Sequence, residues 1–150
     1  MSRVVPFTVV AILVAATAHA HVTVRPRESK VGATETYTIR VPTEGKTATA
    51  SVELEIPPGV TVDSIEPADG VRLDVKRQAG RIISIMWTVT IDPGQRREFT
   101  FAPKNPNEGS EIVWKVHQHY TDGTTSEWVG AAGTRQPAPS TNLVSGSAGR

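Results

Sequence analysis

The 150-residue chain contains no cysteine and few aromatic residues: three tryptophans, two tyrosines and three phenylalanines. Without cysteine the chain forms no disulfide bond and offers no thiolate to a zinc ribbon, a blue-copper centre or an iron–sulfur cluster. The sequence also lacks G-x-S-x-G, H-E-x-x-H and P-loop motifs, which are typical of common hydrolases and phosphate-binding proteins. Stability must therefore come from a hydrophobic core, and thiol, hydrolase and nucleotide chemistry are disfavoured.

Long apolar runs are scarce, and the one present covers residues 4–16, after Arg3 and shortly before Ala18-His19-Ala20. This run is too short for a comfortable membrane span, which needs about 20 apolar residues. A basic start, a short apolar run and an Ala-x-Ala triplet are typical of a secretory signal peptide. We therefore predict a signal peptide at residues 1–20 and a mature chain beginning at His21. Cleavage after Ala18, leaving His19 first, is the alternative.

The predicted mature chain has balanced charge. Removal of residues 1–20 takes away Arg3 but no acid, which leaves 15 basic and 15 acidic residues. A nucleic-acid-binding domain usually carries a clustered basic face, and no second apolar segment is long enough to span a membrane. We expect a periplasmic or secreted protein with no nucleic-acid partner and no membrane span in the mature chain.

Alternation of apolar and polar residues with period two continues through most of the mature chain and predicts strands. The predicted strands cover residues 36–41, 51–56, 60–65, 71–76, 82–91, 97–102 and 112–120. Turn-forming sequences such as IPPGV, DPGQ and TDGT separate them. This pattern predicts an all-β fold, an immunoglobulin- or fibronectin-like antiparallel β-sandwich, with a small closed barrel as the alternative.

The strand pattern ends near Thr134, where the sequence becomes rich in proline, serine and glycine, and Leu143 and Val144 are the only larger aliphatic residues. Such a composition buries too little apolar surface to order itself. We therefore predict one β-sandwich domain at residues 21–133 and a flexible polar tail at residues 134–150.

A histidine at a free N-terminus is a special metal ligand. Its α-amine has a pKa of about 7.7–8.0 in model peptides and loses its proton readily to a metal near neutral pH. The amine and the imidazole Nδ1 of His21 would close one chelate ring, and two such nitrogens with a carboxylate or water suit tetragonal copper(II). If His19 came first, His21 would be the third residue, an arrangement that also suits copper(II). Glu28 and Glu35 lie nearby in sequence as candidate carboxylates, although a solvated surface role is the usual one for glutamate.

The remaining histidines, His117 and His119, lie on the predicted strand 112–120. Alternation places Trp114, Val116, Gln118 and Tyr120 on one face and both histidines on the other. The aromatic face should point inward, so we expect the two histidines to be exposed, with weak metal binding as the alternative role.

Several motifs, in a fixed order, resemble one known family. They are AHVTVRPRES, ETYTIRVPTE, VELEIPPGV, SIEP, FAPKNP and WKVHQHYTDGTTSEWVG. Together they cover about residues 21–130 and are similar to the YcnI-like domain of exported bacterial copper-binding proteins.

The resemblance implies a copper(II) carrier or chaperone with an immunoglobulin-like fold, working with another copper-transport protein. It also implies a monohistidine brace: the amine and imidazole of His21, a carboxylate, and a nearby tryptophan. In this chain the matching residues are His21, Glu28 of PRES with Glu35 as the rival carboxylate, and Trp128 of EWVG. The chain departs from some relatives, which carry tryptophan where it has Thr34 or a C-terminal membrane anchor where it has a polar tail.

Two other function classes stay open. A copper-dependent polysaccharide oxygenase also uses an N-terminal histidine but needs a second histidine, and alternation turns His117 and His119 away from the inward face. A metal-free extracellular interaction module is the other alternative. We favour the non-enzymatic copper-binding protein.

The predicted processing has a direct test. We expect the intact mass of the exported protein to correspond to a chain that begins at His21. A mass that includes His19 and Ala20 would instead support cleavage after Ala18, and an unprocessed mass would contradict the signal peptide.

Overall fold

The computed structural model describes residues 20–146, so the predicted signal peptide lies outside the described residues except for Ala20. The described part is built from strands, whose bounds are β1 Thr23–Arg25, β2 Glu28–Lys30, β3 Tyr37–Pro42, β4 Thr49–Glu55, β5 Thr61–Ile65, β6 Arg72–Gln78, β7 Arg81–Ile91, β8 Arg96–Lys104, β9 Glu111–Val113, β10 Val116–Tyr120, β11 Thr125–Trp128 and β12 Ser140–Val144. Among these residues no helix is both long and apolar enough to cross a membrane.

The strands form two larger sheets and one small sheet. The first larger sheet has the order β1-β3-β8-β5, and the second has the order β11-β10-β4-β7-β6. The small sheet has the order β2-β12-β9, and β2 pairs with β12 in parallel, whereas the other named strand pairs are antiparallel. The predicted immunoglobulin-like β-sandwich is confirmed.

The core lies between the inward faces of these sheets, where the predicted alternation places its apolar residues. The first sheet contributes residues such as Ile39 and Phe99, and the second contributes Leu54 and Trp87. Trp87 stacks on Phe99 with ring centroids 5.0 Å apart and an interplanar angle of 15°. The chain has few aromatic residues, but most of them lie in this layer. Each buries a large apolar surface, so together they contribute strongly to the core.

The predicted strand 112–120 is divided between two sheets. β9 belongs to the small sheet and β10 to the second larger sheet, and the chain crosses between them at Trp114 and Lys115. Trp114 is fully buried there, and its backbone N–H donates to the carbonyl of Pro139. Trp114, Val116 and Gln118 all point inward, as predicted, so the alternation survives the change of sheet.

The structure corrects the prediction of a flexible tail for residues 140–144. These residues form β12, which pairs with both β2 and β9. Thr141 and Leu143 point inward and are buried, and Trp114 donates its indole N–H to Thr141 Oγ1 at 3.0 Å. Composition missed this strand because two inward side chains suffice to dock a strand whose backbone is paired on both edges.

The docking of β12 predicts a measurable effect of Thr141→Val. Valine keeps the shape of threonine but leaves the buried Trp114 N–H without its acceptor, which should lower the free energy of unfolding by about 1–3 kcal/mol. Urea denaturation would measure the change, with Ser140→Ala on the exposed side of the same strand as the matched control. Equal stability of the Thr141→Val variant and the wild type would contradict the role of this hydrogen bond.

Candidate metal centre

His21 lies just before β1, at the edge of the sandwich, and its side chain is exposed. Val22, the next residue, is buried in the core, so the chain direction at His21 is fixed by packing on one side. The imidazole ring of His21 lies 5.8 Å from the indole ring of Trp128, measured between centroids, with an interplanar angle of 54°. The structure therefore brings together two of the residues singled out in the sequence.

Trp128 is the last residue of β11, which forms a hairpin with β10 through the turn TDGT. Its side chain is only 6% exposed, and its indole N–H donates to Gln118 Oε1 at 3.0 Å. Trp128 is therefore part of the core and also lies beside His21.

Gln118 holds Trp128 in this position. Its amide nitrogen donates to the carbonyl of Pro42 at 2.9 Å and to Thr49 Oγ1 at 2.7 Å, and its amide oxygen accepts the indole N–H. Thr49 also shares a 2.7 Å hydrogen bond with Thr43. A buried amide is costly unless its polar atoms are hydrogen-bonded. Here both the nitrogen and the oxygen of the Gln118 amide are bonded, so Gln118 connects the end of β3 to the indole N–H of Trp128.

Glu44 is the carboxylate that the fold places beside His21. In the antiparallel pairing of β1 with β3, Thr23 lies opposite Arg40, so the start of β1 meets the end of β3. Glu44 follows β3 by two residues, and it accepts a hydrogen bond from the backbone N–H of Ala20. Gly45 adopts a φ of 80°, which lets the chain turn away immediately after Glu44.

Glu28 and Glu35, the carboxylates predicted from sequence, are not brought to His21. The same antiparallel pairing places the end of β1 beside the start of β3, and these two residues lie at that opposite end. Glu28 begins β2 opposite Asn142, and Glu35 accepts a hydrogen bond from Ser29. Proximity in sequence was misleading here because an extended strand carries the chain away from its start by about 3.3 Å per residue.

A cleft of about 460 Å³ surrounds the pair formed by His21 and Glu44. Trp128 and Gln118 form its wall on the side of the core, and Tyr120 and residues 133–136 also belong to its lining. Within residues 20–146, no three histidine, aspartate or glutamate side chains are grouped so that they could hold a metal ion. His21 and Glu44 could supply two side-chain donors, and a histidine at a free N-terminus would add a main-chain nitrogen as the third.

Comparisons with known proteins identify the family of this chain. The family model described as "Domain of unknown function (DUF1775)" matches residues 21–143. The chain belongs to the DUF1775 family. Its match begins at His21, and the YcnI-like resemblance found in the motifs is confirmed.

One curated relative of this DUF1775 chain is the copper-binding protein CutI of Bacillus subtilis strain 168, which is 38% identical over 133 residues. The match covers 87% of the present chain and 65% of CutI, so the chain spans slightly less than two thirds of that relative's length. A solved Nocardia farcinica protein, described as having an immunoglobulin-like fold, is 28% identical, with a TM-score of 0.73 over 83% of this chain and 98% of that one.

A more distant structure shares the fold alone. A non-cellulosomal cohesin from Archaeoglobus fulgidus matches 83% of this chain and 90% of its own, with a TM-score of 0.51 and 8% identity.

In this DUF1775 domain, His117 and His119 lie on the outer face of β10, as the alternation predicted, but both are half-buried rather than exposed. His117 is bracketed by two carboxylates: its Nε2 lies 2.8 Å from Glu55, and its Nδ1 contacts Glu127. His119 Nε2 lies 3.9 Å from Glu53. Since His117 joins β4 and β11 across β10, it is a cross-strand connection of the second larger sheet, and it lies on the opposite face from Gln118.

The surroundings of His117 change its proton affinity. Burial alone would lower the pKa of His117, but the hydrogen bonds and charges of Glu55 and Glu127 outweigh burial and raise the pKa above its ordinary value. The folded protein therefore holds this proton more tightly than the unfolded chain does.

This shift predicts a pH dependence of stability. The contribution of His117 should be fully present below the unfolded-state pKa of about 6.5 and should disappear as the pH rises through the raised folded-state pKa. Urea denaturation between pH 6 and pH 9 should therefore show a loss of stability in the wild type that His117→Gln lacks. His119→Gln is the positional control and should retain the loss; if His117→Gln retained it as well, the cross-strand ion pairs would not be its source.

Proposed function

We propose that the mature form of this chain, beginning at His21, is an exported copper(II)-binding protein that carries copper rather than transforming a substrate. The metal would be held by the α-amine and imidazole of His21 and by the carboxylate of Glu44, with Trp128 alongside. The main support for this proposal is that His21, Glu44 and Trp128, which are far apart in the sequence, line one cleft.

The donor atoms fit copper(II). An amine, an imidazole and a carboxylate are nitrogen and oxygen ligands of the kind that copper(II) binds in tetragonal geometry. Because Glu44 already lies within contact of the backbone at residue 20, its carboxylate is close to the position where cleavage would create the new amine. The pairing of β1 with β3 keeps these groups together through backbone hydrogen bonds, which cleavage before β1 leaves intact.

Trp128 and Gln118 would act on the metal without donating to it. The indole N–H is a donor with no acceptor lone pair, and in this fold it is engaged by Gln118. The indole ring, whose centroid lies 5.8 Å from that of the His21 imidazole, would cover one side of the site and limit the approach of water and other ligands. Such surroundings tune a bound metal, and fixing the ring through a buried amide keeps that cover in place.

The relative CutI supports copper as the cargo, because its name describes a copper-binding protein and the match covers 87% of this chain. The arrangement favours a carrier over an oxidative enzyme, because His117 and His119 lie on the outer face of β10, where His117 is bonded to Glu55 and Glu127. The second histidine that a copper oxygenase requires is therefore not supplied by them.

Copper titration of defined variants tests the proposal. In protein that begins at His21, we expect His21→Ala to abolish tight binding of one copper(II), and Glu44→Gln to weaken it by more than about tenfold. Glu28→Gln is the matched control for charge and should bind as the wild type does. An additional glycine before His21 should also prevent tight binding, because the amine and the imidazole would then belong to different residues.

Two results would contradict this site. If Glu28→Gln weakened binding and Glu44→Gln did not, the carboxylate would be the one predicted from sequence. If the double variant His117→Ala, His119→Ala lost the tightly bound copper while His21→Ala retained it, the main site would lie on β10. Intact mass spectrometry under non-denaturing conditions would give the stoichiometry in every case.

A further inference from the structure

A second cleft begins at His21 and runs along the outer face of the first larger sheet. It has a volume of about 570 Å³, and it shares His21, Pro42, Glu44 and Gly45 with the cleft described above. Its remaining wall includes three arginines, Arg25, Arg40 and Arg96. The candidate metal site therefore opens directly onto a second cleft, which is lined by arginines and has a volume in the range of small-molecule sites.

Strand register explains why the arginines share this face. Along β1, β3 and β8, the inward positions are occupied by core residues such as Val24, Ile39 and Phe99. The intervening residues point outward, and in the register of these strands Arg25 lies opposite Thr38, Thr23 opposite Arg40, and Pro42 opposite Arg96. The three arginines thus lie in successive rows that lead to His21.

The charge of this cleft is unbalanced. Arg40 pairs with Glu98 at 2.8 Å, whereas within residues 20–146 Arg25 and Arg96 form no ion pair within 4.0 Å. Glu44 is the acid that lines the cleft, and it is the proposed carboxylate ligand of copper. Once Glu44 is engaged by a divalent cation, the cleft presents guanidinium groups to solvent with no lining carboxylate free to balance them.

We infer that this arginine cleft binds a small polycarboxylate, and that copper(II) reaches or leaves His21 as its polycarboxylate chelate. This inference rests on the function proposed above and adds the chemical form in which the cargo is exchanged. Guanidinium groups bind carboxylates through paired hydrogen bonds. A molecule with three or more carboxylates uses some oxygens to hold copper(II) and retains others for the arginines.

Transfer of copper(II) from the chelator to the protein is a ligand exchange with no change in oxidation state. Copper–oxygen bonds to the chelator break as bonds to the His21 amine, the His21 imidazole and the Glu44 carboxylate form. The proton of the amine passes to solvent, and the released polycarboxylate leaves with its negative charge. The arginines would hold the chelator beside the site during this exchange and raise its local concentration through their positive field.

Citrate is a suitable probe, and the first experiment needs no metal. Calorimetric titration of the apo protein beginning at His21 should detect citrate binding that weakens as ionic strength rises. The triple variant Arg25→Gln, Arg40→Gln, Arg96→Gln should weaken this binding by about tenfold or more. The matched control replaces three exposed basic residues of β6, Arg72, Lys76 and Arg77, with glutamine and should retain wild-type binding. Near-UV circular dichroism would verify that both variants are folded.

The second experiment measures copper uptake from two donors, the anionic citrate chelate and the neutral bis-glycinate complex. The triple variant should take up copper from citrate several-fold more slowly than the wild type and the β6 control do, and from bis-glycinate at the wild-type rate. Citrate binding that is equal in the triple variant and the wild type, or that is equally weakened in the β6 control, would overturn the anion site. Loss of citrate binding with unchanged uptake from copper citrate would overturn its role in exchange.

Failure of the His21 copper site would give a different result from failure of the arginine cleft. If His21 and Glu44 do not bind copper, uptake from both donors fails in the wild type, while citrate binding by the apo protein still reports on the arginine cleft.

Discussion

The antiparallel pairing of β1 with β3 is the constraint on which the candidate site depends. β1 is only three residues long, yet its register sets the segment before it against the residues that follow β3. Val22 and Val24 anchor this edge strand in the core on one face, so a slip by one residue would expose both. The position of His21 relative to Glu44 is therefore determined by the same hydrophobic alternation that forms the sandwich.

A buried polar network extends this constraint to the second larger sheet. Gln118 connects the carbonyl of Pro42 in one sheet with the indole of Trp128 in the other, and it makes a third contact with Thr49. Because each of these buried groups would be costly without its partner, the network specifies one arrangement of the two sheets at this edge. The residue that ends β3 and the tryptophan beside His21 cannot shift independently.

His21 lies where two unlike surfaces meet. On one side the wall contains Trp128 and the buried amide of Gln118, and on the other the outer face of β1, β3 and β8 carries arginines. A metal held at this boundary would lie between the aromatic ring of Trp128 and the arginine cleft. Such an arrangement suits a cargo that is held firmly but exchanged with an anionic donor or acceptor, in keeping with the proposed carrier function.

The sequence by itself determined the all-β fold, most of the strands, the inward face of Trp114, Val116 and Gln118, and the family. These features follow from local alternation and turn chemistry, or from motifs read directly in the chain. His21 was singled out by the chemistry of an N-terminal histidine, and Trp128 was implied by the family resemblance, through the motif EWVG.

Only the tertiary structure placed Glu44, rather than Glu28 or Glu35, beside the His21 segment, and only it showed that β12 joins the small sheet. Glu28, Glu35 and Glu44 all lie in polar, turn-flanked positions, and nothing local distinguishes them as ligands. The motif VPTEG places Glu44 just beyond the end of β3. A residue at that position lies near the start of any strand that pairs antiparallel with β3, as β1 does. Which strands pair, and in which register, is a non-local property, set by the burial of side chains that are far apart in the chain.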